Sequence, residues 1–149
     1  MSNVTVIENN PKCVYLHCLA TPDNDNSGIG SDDVKKWHTD PAPHGNGWKR
    51  SGYHYVVKRS GVIESLVPEH LISNGIRGHN SDALHVAYAG TFYPSEHQVV
   101  SLVQLALMFK KERGLGARDW FGHYERDNGK KCPGFSMMLF RSLLKAHKI

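Results

Sequence analysis

Apolar and polar positions switch between two periods along the chain. Residues Cys13 to Cys18 (C-V-Y-L-H-C) form a β-branched and aromatic run, closed by Thr21-Pro22 and a polar loop from Asp23 to Gly30, which predicts a buried strand. An edge strand is expected before it at Val4–Ile7. Ser31 followed by Asp32 and Asp33 predicts a helix start, a cap and then acids at the positive end of the dipole. Val34, Trp37 and His38 give that helix its inner side, and Pro41 and Pro43 stop it. Tyr53–Lys58 and Val62–Ser65 flank Arg59-Ser60-Gly61 as a hairpin, and Leu84–Ala89 is a further strand. Ser95 and Gln98 have capping-box spacing and open the longest helix, which runs to about Arg113 with Gly114 as its stop. Val99, Leu102, Val103, Ala106 and Phe109 share one face of it. A short strand at Trp120-Phe121 and a last helix from Met137 to about Ala146 complete the pattern, with Leu139, Leu143 and Leu144 as that helix's core stripe. This order predicts an α/β fold: a single domain over residues 1–149, with a central mixed β-sheet flanked by about three α-helices.

Composition narrows the function classes. Hydrophobic residues make up 40% and charged residues 21%, too apolar for disorder, and no apolar run approaches the roughly 18 residues of a membrane span. Glu8-Asn9-Asn10-Pro11-Lys12 interrupts any signal-peptide core, so synthesis in a cytoplasm is expected. The net charge of +4 is spread over scattered pairs such as Lys35-Lys36 and Lys110-Lys111, without a basic stripe interleaved with aromatics. Neither nucleic-acid binding nor membrane insertion is expected. Three cysteines are too few and odd for a disulfide framework, so each is a buried small hydrophobe or a ligand. Ten histidines are more than the size requires, and histidine is the commonest metal ligand.

The candidate chemistry gathers near the C-terminal third. His123 follows the short strand at Trp120-Phe121, and Cys132 precedes Pro133-Gly134, which forces a turn. A histidine and a cysteine at two ends of one loop can supply half of a zinc site, the alternative being a coincidence of spacing. If Lys130 to Cys132 is extended, the two side chains share a side, and a cation there favours thiolate; the alternative is a solvated lysine. His17, near the end of the first strand, is the third candidate, the alternative being a satisfied buried histidine. Strand alternation puts Cys18 on the opposite face, so Cys18 and Cys13 read as core. Alternation also gives Tyr53 and Tyr55 one face and His54 the other, and spacing does not decide which face meets the site.

In order along the chain stand V-Y-L-H-C with Ala20-Thr21, then G-Y-H-Y-V-V-K-R-S-G, then G-H-N-S before a strand ending in A-G, then G-H-Y-E followed by K-K-C-P-G-F. Together they resemble the type-2 N-acetylmuramoyl-L-alanine amidases, a family that includes short phage endolysins and animal peptidoglycan recognition proteins. The resemblance spans roughly Val14 to Leu144 and is greatest to the single-domain endolysins. It implies one zinc ion held by His17, His123 and Cys132, with Tyr53 and Lys130 assisting catalysis. It implies bacterial peptidoglycan as the partner, a host cytoplasm before lysis and the cell wall afterwards; the chain is expected to be a monomer. Two departures stand out: the interval from His123 to Cys132 is one residue longer than usual, with a larger turn at Asp127-Asn128-Gly129, and His85 occupies a place where a small residue is common. The competing expectation is a module that binds peptidoglycan or another protein without cutting, its zinc purely structural. A fourth protein ligand such as His54 or His85 would favour that alternative; the sequence gives His79 no role.

Overall fold

In the strand β1 (Cys13–Cys18), Val14, Tyr15, Leu16 and His17 are all buried, and all six residues of the strand β4 (Ala83–Tyr88) are buried too. Burial on both faces is why these runs lack the alternation of a half-exposed strand. In this computed structural model, which describes residues 8–149, the two strands pair in parallel, with His17 opposite Ala87 and Tyr15 opposite His85. The expected strand at Val4–Ile7 lies outside the described residues. On its other side β1 pairs in parallel with β5 (Trp120–Gly122). The strand β2 (Tyr55–Val57) runs parallel to β4 and antiparallel to β3 (Ile63–Ser65), which gives the order β3-β2-β4-β1-β5. The sheet is mixed and three helices accompany it, as expected: α1 (Ser31–Thr39), α2 (Glu96–Arg113) and α3 (Met137–Ala146).

The two faces of the sheet have different chemistry. Val14 and Leu16 of β1, and Leu84, Val86 and Tyr88 of β4, join the main core with Leu102, Ala106 and Phe109 of α2, Trp120, and Met137, Phe140 and Leu144 of α3. The intervening positions point the other way, where Tyr15 packs with Ile76 and Ala83, and His17 meets His85. The sheet is therefore apolar towards α2 and α3 and carries titratable groups on its opposite side.

Local signals explain the helix bounds. Ser95 caps α2, its hydroxyl accepting the Gln98 N–H at 3.1 Å while Gln98 Oε1 accepts the Ser95 N–H at 2.9 Å. Gly114 closes it in the left-handed region, donating to Lys110 O at 2.9 Å. Three expectations need correction. The cap of α1 is Gly30, whose N–H donates to Asp33 at 3.0 Å, because Ser31 N–H is taken by Glu64 at 2.9 Å. Trp37 is exposed, and Val34 carries the inner side of α1. In α3 the buried residues Met137, Phe140 and Leu144 follow i, i+3, i+7; Leu139 falls outside that stripe and is 70% exposed.

Truncating the two leucines separates the stripes. Leu144→Ala is expected to destabilise by about 2–5 kcal/mol, and Leu139→Ala by less than about 0.5 kcal/mol. Urea unfolding of the two variants checks both.

Candidate active site

His17 sits one residue before the end of β1 and is fully buried. β5 ends beside it at Gly122, and the chain turns at once into a single 3₁₀ turn (His123–Glu125). That turn is braced from α3: Glu125 accepts the Gly122 N–H at 2.9 Å and pairs with Arg141 at 2.8 Å, while Arg141 also donates to Trp120 O at 3.0 Å. The result brings His123 Nδ1 to 3.2 Å from His17 Nδ1. Cys132 completes the group, the donor atoms of His17, His123 and Cys132 all lying within 4.8 Å of one another. Among the described residues this is the one set of three such side chains placed to hold a metal ion.

The loop that delivers Cys132 is tied at several points. Tyr124 N–H donates to Cys132 O at 2.9 Å, Tyr88 O–H donates to Pro133 O at 2.6 Å, and Cys18 N–H points at the Cys132 sulfur at 3.0 Å. The longer turn at Asp127-Asn128-Gly129 closes on itself, Lys130 N–H reaching Asp127 O at 3.0 Å. Gly134 has φ +89°, and a Cβ there would lie 1.9 Å from Thr91 O, so only glycine lets this loop lie against the segment after β4.

Two clefts meet at the group. One, of about 410 Å³, is lined by Cys18, Tyr53, Phe92, His123, Lys130 and Cys132. The other, of about 510 Å³, is lined by Trp48, Arg77, Asn80, His123 and Lys130 among others. His123 and the exposed Lys130 line both. Tyr53 lies outside β2, and its ring centroid is 5.0 Å from that of His17. Its segment is pinned on both flanks. Gly52 N–H donates to His38 Nδ1 at 2.9 Å, and His54 exchanges two hydrogen bonds with the His85 backbone, His54 N–H to His85 O at 2.8 Å and His85 N–H to His54 Nδ1 at 3.0 Å.

Electrostatics keep the histidines neutral. Burial drives His17 well below its ordinary pKa, with neighbouring His85 and His123 adding to the shift. Burial lowers His123, and the Lys130 charge lowers it further. His85 falls to about 3, mainly through burial. A neutral imidazole is the form that ligates a metal. Burial, then the nearby thiols, push the Tyr53 phenol up, so it stays protonated. The side-chain contact between the two thiols lowers Cys18 and raises Cys132, and burial raises Cys132 further. A cation among the three donors would reverse that order, because a coordinating thiol is deprotonated outright.

The family profile described as N-acetylmuramoyl-L-alanine amidase matches residues 8–135, a segment that contains His17, Tyr53, His123, Lys130 and Cys132. The chain belongs to the N-acetylmuramoyl-L-alanine amidase family. It is an amidase. The endolysin of Escherichia phage T7 is 27% identical over 134 residues, covering 83% of this chain and 81% of that one. Among solved structures, the N-acetylmuramoyl-L-alanine amidase LysC from Clostridium intestinale URNW shares the fold with a TM-score of 0.73 at 22% identity, over 90% of this chain and 87% of that one. The Ph2119 endolysin of a Thermus scotoductus bacteriophage also scores 0.73, at 21% identity, over 93% and 86%.

Against the amidase pattern, the structure brings together the five residues singled out in sequence around one cleft or its floor. It also shows three histidines whose supporting contacts at the cleft the sequence did not state. His38 holds the backbone ahead of Tyr53; His54 ties that segment to β4, its Nε2 meeting Leu71 O at 2.8 Å; and His85 touches His17. The excess of histidines was the one available signal. Cys18 packs partly against the main core as expected, yet it also lines the cleft.

Gly134→Ala is expected to lower stability by more than the roughly 1–3 kcal/mol that a strained backbone alone costs. Gly78→Ala also has a positive φ, of +84°, but meets nothing within 4 Å, so it should show the backbone term alone. Denaturant titration of the two variants measures the difference.

Proposed function

We infer that this amidase is zinc-dependent and cleaves the amide bond between N-acetylmuramic acid and the first L-alanine of the peptidoglycan stem peptide. The observation that carries this reading is the triangle of His17 Nδ1, His123 Nδ1 and the Cys132 sulfur beside the cleft of Tyr53 and Lys130. The donor set fits zinc. Two imidazole nitrogens on one tetrahedral ion at about 2.0–2.1 Å sit about 3.3 Å apart, and the two Nδ1 atoms here are 3.2 Å apart. Three protein donors are the number of a catalytic rather than a structural zinc. The two candidates for a fourth are engaged elsewhere, His54 with Leu71 O and the His85 backbone, and His85 with the far nitrogen of His17.

A zinc ion held there supplies Lewis acidity, which polarises a carbonyl and makes water acidic enough to attack near neutral pH. The chain's own groups do the rest. Lys130, at the junction of the two clefts, donates to the oxygen that gains charge as the carbonyl is attacked; a well-placed donor of this kind contributes about 10²–10³ in rate. Tyr53, protonated and lining the cleft, exchanges a proton with the attacking water or the leaving amine. His38 and His54 hold the backbone on either side of Tyr53 and leave its hydroxyl to the substrate. The endolysin name of the phage T7 relative supports cell-wall lysis as the setting, with the chain folded in the host cytoplasm and acting on the wall after release. Among the described residues no helix is long and apolar enough to cross a membrane.

Purified peptidoglycan digested with and without a zinc chelator, followed by mass analysis, tests the reading: chelator-sensitive release of stem peptides with an L-alanine amino terminus is expected, and release of sugars or of nothing would overturn it. Cys132→Ala should lose zinc and activity together. Tyr53→Phe should keep one zinc per chain and slow turnover about 10²–10⁴-fold; an unchanged rate would remove Tyr53 from the chemistry.

A further inference from the structure

His17 is held from two sides. Its Nδ1 faces the donor triangle, and its Nε2 lies 2.9 Å from His85 Nδ1 on the neighbouring strand. Ligation through Nδ1 decides where the proton of the neutral ring sits: Nδ1 offers its lone pair, so Nε2 carries the hydrogen. His17 Nε2–H then donates to His85 Nδ1, and His85 in turn carries its own proton on Nε2. We propose that His85 is the positioning residue of the metal centre, orienting the His17 ring, selecting its tautomer and thereby setting how tightly the three donors hold the ion. This rests on the zinc reading above.

The surroundings of His85 are built to place that one nitrogen. The strand register sets Tyr15 beside it, and the two rings stack at 5.4 Å. The His85 backbone is locked by the two hydrogen bonds with His54, whose other ring nitrogen is fixed on Leu71 O. Gly75 makes the space: a Cβ there would lie 2.1 Å from His85 Nδ1 and 2.5 Å from its Cγ. His85 is fully buried, and its Nε2 finds no well-formed hydrogen bond among the described residues, although the backbone of His79 acts on it. A buried imidazole brings two polar atoms that apolar packing does not call for, so packing alone gives no reason for histidine here. The contact with His17 does. Partners that fix a ligating imidazole through its far nitrogen are a general feature of metal centres. Here that partner is a neutral ring from the adjacent strand, which adds no charge.

The test measures zinc affinity of the full chain by competition with a chromophoric chelator, beside the thermal midpoint of the metal-free protein. The variants are H85A, H85N, G75A and the double variant G75A/H85A. The parent should take up one zinc. H85A should bind it about 10–100-fold more weakly, and H85N, whose side-chain oxygen can accept in place of Nδ1, should recover most of that loss. G75A should weaken binding by pushing the ring away from His17, and should have no further effect once His85 is alanine. Parent-like affinity in both H85A and G75A would overturn the role of His85. So would equal losses in H85A and H85N that track the stability of the metal-free protein, since those mark a packing role. A parent that takes up no zinc would instead overturn the zinc reading itself, and this role with it.

Discussion

The candidate site depends on β1 being hydrogen-bonded on both sides to strands that run in its own direction. Parallel neighbours end at the same edge of the sheet, so His17 near the end of β1 and His123 just past the end of β5 become neighbours although the chain between them spans the whole fold. In open α/β sheets such an edge is where ligands bind. The same pairing puts side chains of adjacent strands on one face. Val14, Leu16, Leu84 and Val86 all turn towards α2 and α3, while His17 and His85 turn away from that core together. One sheet thus separates an apolar interior from a polar, titratable face, and the donor triangle forms where that face runs out.

Features written in short stretches of chain were legible without the structure. The bounds of α2 follow from Ser95, Gln98 and Gly114, because capping is decided within a turn of helix. The five candidate residues were singled out through motif order, and the fold gathers them around one cleft or its floor. What was hidden depends on contacts between distant segments. Gly30 displaces Ser31 as the cap of α1 because Glu64 of β3 takes the Ser31 N–H. Leu139 was assigned inward because Met137, Met138, Leu139 and Phe140 are all apolar, and a run without polar punctuation does not say which way a helix faces. The partnership of His17 with His85 needs the register of β1 on β4, which neither strand states alone.

Burial does much of the electrostatic work. It lowers His17, His85 and His123, holding each as a neutral ring with a lone pair to offer, and it raises Tyr53, holding it as a donor. Opposite requirements are thus met by one cause, since removing water disfavours whichever form is charged. Lys130, by contrast, stays exposed at the junction of the two clefts.

The donors that converge beside β1 come from far apart in sequence: His17 and His123 are separated by 106 positions. An ion gripping both would be a cross-link as well as a reagent. It would join the first described strand to the loop ahead of the last helix, closing most of the chain into a ring, and the entropy removed from the unfolded chain grows with the length closed. Any ion bound only by the folded form adds to global stability in proportion to the logarithm of its free concentration over its dissociation constant. The group that would make this chain a catalyst would therefore also be a clasp, coupling the persistence of the fold to the supply of one metal.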